Sequence, residues 1–179
     1  MYEQIALIIV YAIIGAGLKY IDEIYDTKSF KFKYVYILST AVGLLMGYVM
    51  TIDINSFIIL FSVIISVGIT GKIDNEAFKL VASLALLLPV FSMIFIPNIS
   101  INLLPLLLLS IAGVHDEYLD EIGDKRRQSL LTLRPFMKIM IIILCVLGFF
   151  EIVYIFAFFS FDIFYSIIGV YSHKKGKKK

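Results

Sequence analysis

Three segments of the chain concentrate side chains that can hold a metal ion. Residues 19–28 carry Lys19, Asp22, Glu23, Asp26 and Lys28, and residues 71–76 carry Lys72, Asp74 and Glu76. Residues 115–127 carry His115, Asp116, Glu117, Asp120, Glu121, Asp124, Lys125, Arg126 and Arg127. On continuous helix, a spacing of four places Asp22 and Asp26 on one face, and Asp116, Asp120 and Asp124 on another. Mg²⁺ prefers oxygen ligands, keeps several waters, and commonly bridges one or two carboxylates to a substrate phosphate. Carboxylates alone repel a phosphate, so a metal is essential to any such site. Asp22, Asp26, Asp120 and Asp124 are the principal candidate ligands, with Asp74 and Asp116 beside them. Lys72, Arg126, Arg127 and Arg134 are the candidate phosphate-binding cations. The plainer reading is a set of solvated loops, in which Glu121 and Lys125 form a helical i,i+4 pair and nearby lysines neutralise Asp22 and Asp26. His115 is either a metal ligand or base, or a polar residue at a helix end. No zinc spacing, phosphate-binding loop or nucleophile elbow accompanies these groups, and no catalytic residue is assigned.

Two of these segments resemble the aspartate motifs of the UbiA-type intramembrane prenyltransferases. They are Asp22-Glu-Ile-Tyr-Asp26 and Asp120-Glu-Ile-Gly-Asp124-Lys-Arg, the latter followed by Thr132-Leu133. The resemblance implies an all-helical bundle that binds a prenyl diphosphate through Mg²⁺ between two aspartate-rich loops. Asp22, Asp26, Asp120 and Asp124 would then be the metal-binding carboxylates.

The elements that must position these residues are membrane helices. The 179 residues are 60% hydrophobic and 17% charged, with mean hydropathy +0.95. A soluble domain is about 45–50% apolar and about 25% charged, so a soluble enzyme and a disordered chain are both excluded. Lone Cys145 rules out an intramolecular disulfide scaffold. A net charge of +2 is too small to imply a nucleic-acid partner. Spans of about 17–25 apolar residues are read at 4–20, 34–51, 54–71 and 77–96. A short fifth lies at 99–114, and residues 135–171 form an apolar tail. No basic segment or cleavage site marks the first span as a signal peptide.

Charge segregation orients the chain. The sixteen Lys and Arg fall around residues 19–33, 72–79, 125–138 and 174–179, and none lies in 52–56 or 97–100. Basic residues are retained on the cytoplasmic side. That places the N-terminus outside, and the acidic and basic connections inside. A cytoplasmic basic tail (173–179) after a bundle spanning 1–172 requires residues 135–171 to cross twice. The turn falls near 148–151 or near 160–162. The expected fold is therefore an all-α polytopic transmembrane bundle of six to seven helices, seven being favoured.

Within the spans, Gly43 and Gly47 form a small-xxx-small pair for close helix approach, and Gly68 and Gly71 resemble it. Pro89 and Pro105 are read as helix-interior kinks able to open a groove. The first five spans hold no ionisable residue near mid-depth, and Glu151 and Asp162 are read as marking an outer turn. That absence weighs against a transporter of charged substrates. Three functions remain. The first is Mg²⁺-dependent prenyl or phosphoryl transfer on a phosphorylated, isoprenoid or glycerol, membrane lipid. The others are a small cation channel or transporter, for which a homo-oligomer with a pore between protomers is one form, and a non-catalytic scaffold subunit. The cell membrane is the default location.

Overall fold

A computed structural model describes residues 2–26, 34–95, 101–126 and 134–176. Among them the chain forms seven α-helices and no strand. In order they are α1 (Tyr2–Asp26), α2 (Val35–Ile52), α3 (Ile54–Ile69), α4 (Glu76–Phe95), α5 (Leu103–Arg126), α6 (Pro135–Val146) and α7 (Val153–Gly176). Tyr2–Tyr25, Val35–Ile52, Glu76–Phe95 and Val153–Ser172 are long and apolar enough to cross a membrane. The shorter α3 and α6 are apolar too.

Three helix boundaries have a local cause. A single residue, Asp53, separates α2 from α3, and its carboxylate accepts the backbone N–H groups of Asn55 (3.2 Å) and Ser56 (3.1 Å). This is an N-cap, satisfying donors that a helix start leaves open. After α3 and α6, Gly71 and Gly148 take positive φ values of 73° and 78°. The amides beyond them turn back onto carbonyls of the last turn, Lys72 onto Val67 and Phe149 onto Leu144. Glycine adopts that left-handed stop without a Cβ penalty. The turn between α6 and α7 thus lies at 147–152, the first of the two expected positions. Asp162 is correspondingly not at a turn. It sits inside α7, where Lys138 of α6 faces it at 2.5 Å.

Close helix pairs form a closed ring, α1–α2–α3–α5–α6–α7 and back to α1, with α4 packed mainly on α2 and also touching α1. Gly15 lets α1 meet α7, since a Cβ there would lie 2.2 Å from the Phe161 carbonyl oxygen. Gly43 and Gly47 admit the α4 backbone at Val81 and Ala85 in the same way, which is the close approach expected of that pair. Pro89 is inside α4. Pro105 instead occupies the first turn of α5, where a missing N–H removes no helical bond, so it produces no interior kink.

Contacts fix the direction of every helix. The Ser160 hydroxyl reaches the Ile8 carbonyl and the Ser172 hydroxyl reaches Glu23, so α1 and α7 run parallel. The remaining helices alternate. One end of the bundle gathers Asp53 and the starts of α1 and α7. The other gathers the end of α1, the α3–α4 connection, the end of α5 and the start of α6. Between them lie fully buried apolar side chains, among them Ile14, Leu60, Leu109, Ile141, Leu144 and Phe158.

Candidate functional site

At the second end the acid-rich segments are helix rather than loop: α1 continues to Asp26 and α5 to Arg126. Only the middle segment is a connection, between α3 and α4. Their side chains therefore project from fixed frames into the mouth of the ring. There, a chamber of about 360 Å³ is lined by Lys19 and Asp22 of α1, Lys72 and Asp74 of the connection, and Glu117 and Asp120 of α5. Arg134, immediately before α6, and Tyr165 of α7 complete its polar lining.

The chamber is recessed. Twelve residues make α6 about 18 Å long, well short of a hydrocarbon layer of about 30 Å. Its first turn lies level with Asp116, while α5 continues for ten residues beyond. Asp116 itself accepts the amide N–H groups of Phe136 (2.9 Å) and Met137 (2.8 Å). It is thus the cap of α6 supplied by another helix, and its carboxylate is 1% exposed. Burial outweighs those two bonds and raises its pKa. That geometry commits Asp116 to holding α6 rather than to the chamber.

Glu117 is the hub. One carboxylate oxygen receives Lys72 Nζ at 2.6 Å and the other receives Arg134 Nη2 at 3.1 Å. Lys72 also reaches Asp120 at 3.3 Å. Burial alone would raise the Glu117 pKa, but Arg134 and Lys72 outweigh it and lower the value. Conversely, burial works against the Lys72 ammonium, and Glu117 with Asp120 overcomes this and raises its pKa. Arg134 stacks over the Tyr165 ring at 4.3 Å and adopts a left-handed backbone, φ 47°, uncommon for a residue other than glycine. Facing it, Lys19 bonds Asp22 at 2.7 Å and Glu23 at 3.1 Å. Glu23 also accepts the Ser172 hydroxyl at 2.6 Å.

The described charges of this network are three cations (Lys19, Lys72, Arg134) and four carboxylates (Asp22, Glu23, Glu117, Asp120). Exposed Asp74 lies at the rim. Among the described residues carboxylates thus outnumber cations by one within a partly desolvated space, which favours an added cation. Asp22 and Asp120, each about one-quarter exposed, are the accessible acids. Among the described residues no three acids or histidines converge into a closed metal cage. Two carboxylates from facing helices suit the other mode, in which Mg²⁺ keeps waters and shares a substrate phosphate.

Of the residues expected from sequence, Asp22, Asp74, Asp120, Lys72 and Arg134 meet at this chamber. The side chains of Asp26, Asp124 and Arg126, and all of Arg127, lie outside the described residues. His115 is exposed and pairs with the Ile111 carbonyl of its own helix at 2.9 Å. Lys19, Glu117 and Tyr165 were not singled out by spacing, although Lys19 stands three residues before Asp22. One helical turn on from Arg134, Lys138 of α6 pairs with Asp162 of α7, so the apolar tail carries a largely buried ion pair of its own. The chain matches no known family model, no curated protein and no solved structure.

Proposed function

We propose that this membrane protein holds the phosphorylated headgroup of a lipid in the charged chamber, at the cytoplasmic face, with Mg²⁺ as the bridge. The carrying observation is the shared chamber itself. Accessible Asp22 and Asp120 face it from α1 and α5, beside Lys72 and Arg134, and the acids outnumber the cations. Asp22 and Asp120 would hold the metal, with Asp26 and Asp124 as further ligands. A bound Mg²⁺ would offset phosphate charge and stabilise a departing phosphate or diphosphate. Lys19 and Lys72, relieved of Asp22 and Asp120, would turn to phosphate oxygens. Arg134 is held by Glu117 and Tyr165 and presents a fixed guanidinium. Prenyl or phosphoryl transfer at this boundary is the reaction that the aspartate motifs and their UbiA resemblance suggest.

A cation pathway is the second reading, favoured by the excess of acid. Among the described residues it meets, beside the Lys138–Asp162 pair, the tight apolar packing of Leu60, Leu109, Ile141, Leu144 and Phe158, all at most 2% exposed, which constricts any ion route onward.

The test is thermal unfolding of the purified protein in detergent with Mg²⁺ and inorganic diphosphate, added singly and together. Together they should raise the Tm, because a ligand that binds only the folded state stabilises it. Asp22→Asn and Asp120→Asn should each weaken that effect by about tenfold in ligand concentration. Equal shifts in wild type and both variants, or no shift at all, would refute the proposal.

A further inference from the structure

The charged chamber shares Leu18, Val63, Val67 and Phe78 with a second cavity that has no polar lining. This crevice continues between α3 and α4, over Met46 of α2, past Ile64, Ile73, Val81 and Ala82. It exists because α4 leaves the ring: Gly43 and Gly47 draw it onto α2, and α3 and α4 are not a close pair. Gly71 at positive φ and Lys72 then lead from α3 across the crevice mouth toward α4. A charged recess opening sideways into an apolar slot has the polarity sequence of a lipid, headgroup first and hydrocarbon second. The slot measures about 40 Å³. A single water-sized group needs at least about 10–15 Å³, so it admits the leading atoms of one chain and not two side by side.

Resting on the chamber reading above, we infer that the ligand is a single-chain amphiphile whose tail leaves the chamber between α3 and α4. The charge complementarity of the chamber fixes the headgroup, and the continuity of the two cavities fixes the exit. A two-chain glycerolipid would have to force α4 from α2, against the contacts of Gly43 and Gly47. Ala82 of α4 and Ile73 of the connection both line the slot, so a larger side chain at either would narrow it.

The experiment compares inorganic phosphate, dodecyl phosphate and didodecyl phosphate, each with Mg²⁺, by thermal shift in detergent. Wild type should bind dodecyl phosphate at least about tenfold more tightly than inorganic phosphate, since two buried methylenes suffice for that factor. Didodecyl phosphate should show none of this chain-dependent gain. Ala82→Trp fills the slot and should erase the chain-dependent gain while leaving inorganic phosphate binding unchanged. Ile73→Trp does the same from the connection, and serves if the first variant does not fold. A chain-dependent gain that survives both substitutions, or an equal gain for the two-chain probe, overturns the inference while the headgroup reading stands. Failure of every probe to bind overturns both.

Discussion

The two ends of the bundle solve the problem of buried polarity in opposite ways. At one end a carboxylate, Asp53, is surrounded by donors without charge: two amides, the Ser56 hydroxyl at 2.5 Å, and the Tyr154 hydroxyl at 2.9 Å. Tyr11 extends this knot by donating to Ser56 at 3.0 Å. It joins α1, α3 and α7 and leaves little for a ligand to do. At the other end carboxylates meet ammonium and guanidinium groups around open space, with acid in excess. Uncharged donors around one acid make a latch. Charged partners around a void make a place where one ionic partner can be exchanged for another, and the difference separates structural polarity from candidate function.

Removing the hub should break the charged end most severely. Glu117→Ala leaves Lys72 and Arg134 facing each other across the chamber, and truncating one partner of a buried pair costs about 3 kcal/mol or more. Chemical or thermal unfolding in detergent would measure it, and a loss below that of the latch variants would mean the chamber charges are solvated. Tyr154→Phe at the opposite end removes a donor to an ionised acceptor, with an expected cost of about 1.5 kcal/mol. Ligand-induced stabilisation should be untouched in that variant. Tyr11→Phe should cost less, about 1 kcal/mol, because its acceptor is a neutral hydroxyl.

The smallest effect sharpens the comparison through pH. The Glu117 pKa is lowered below its ordinary 4.5, so its stabilisation is full above that value and is lost as pH falls through the lower, folded one. Lys72 is raised above 10.5, so its stabilisation is full below 10.5 and is lost as pH rises through the folded value. Wild type should therefore keep both of these contributions across the interval between. Glu117→Gln should flatten both limbs, whereas Tyr154→Phe should lower the whole curve and keep its shape. A Glu117→Gln curve parallel to wild type would place these charges outside the folding equilibrium.

Much of this architecture was legible in the chain because membrane helices write themselves as apolar length and one-sided charge. The hairpin at Asp53, the turn at Gly148 and the close approach at Gly43 and Gly47 all follow from local chemistry. Local chemistry failed where the partner was distant in sequence. Asp116 resembles one more acid in a row of acids, and only the fold sets it against the amides of Phe136 and Met137, 20 and 21 residues on. Asp162 looked like a turn residue because its counter-ion, Lys138, lies on another helix. Glu117 was similarly inconspicuous beside Asp116, since its importance comes from Lys72 and Arg134 converging on it. The row spacing set Asp22 on one helix face and Asp120 on another, and only the fold brings both to the lining of one chamber; spacing carried no information about which acids remain accessible.

The parallel course of α1 and α7 has a topological consequence. Because these helices lie side by side and point the same way, whatever is joined before Tyr2 and whatever is joined after Gly176 depart from opposite ends of the bundle. Reporters fused to the two termini should therefore answer oppositely to an impermeant label added on one side. A circular permutant is ruled out as a simple rearrangement, since the new linker would itself have to traverse the hydrocarbon layer.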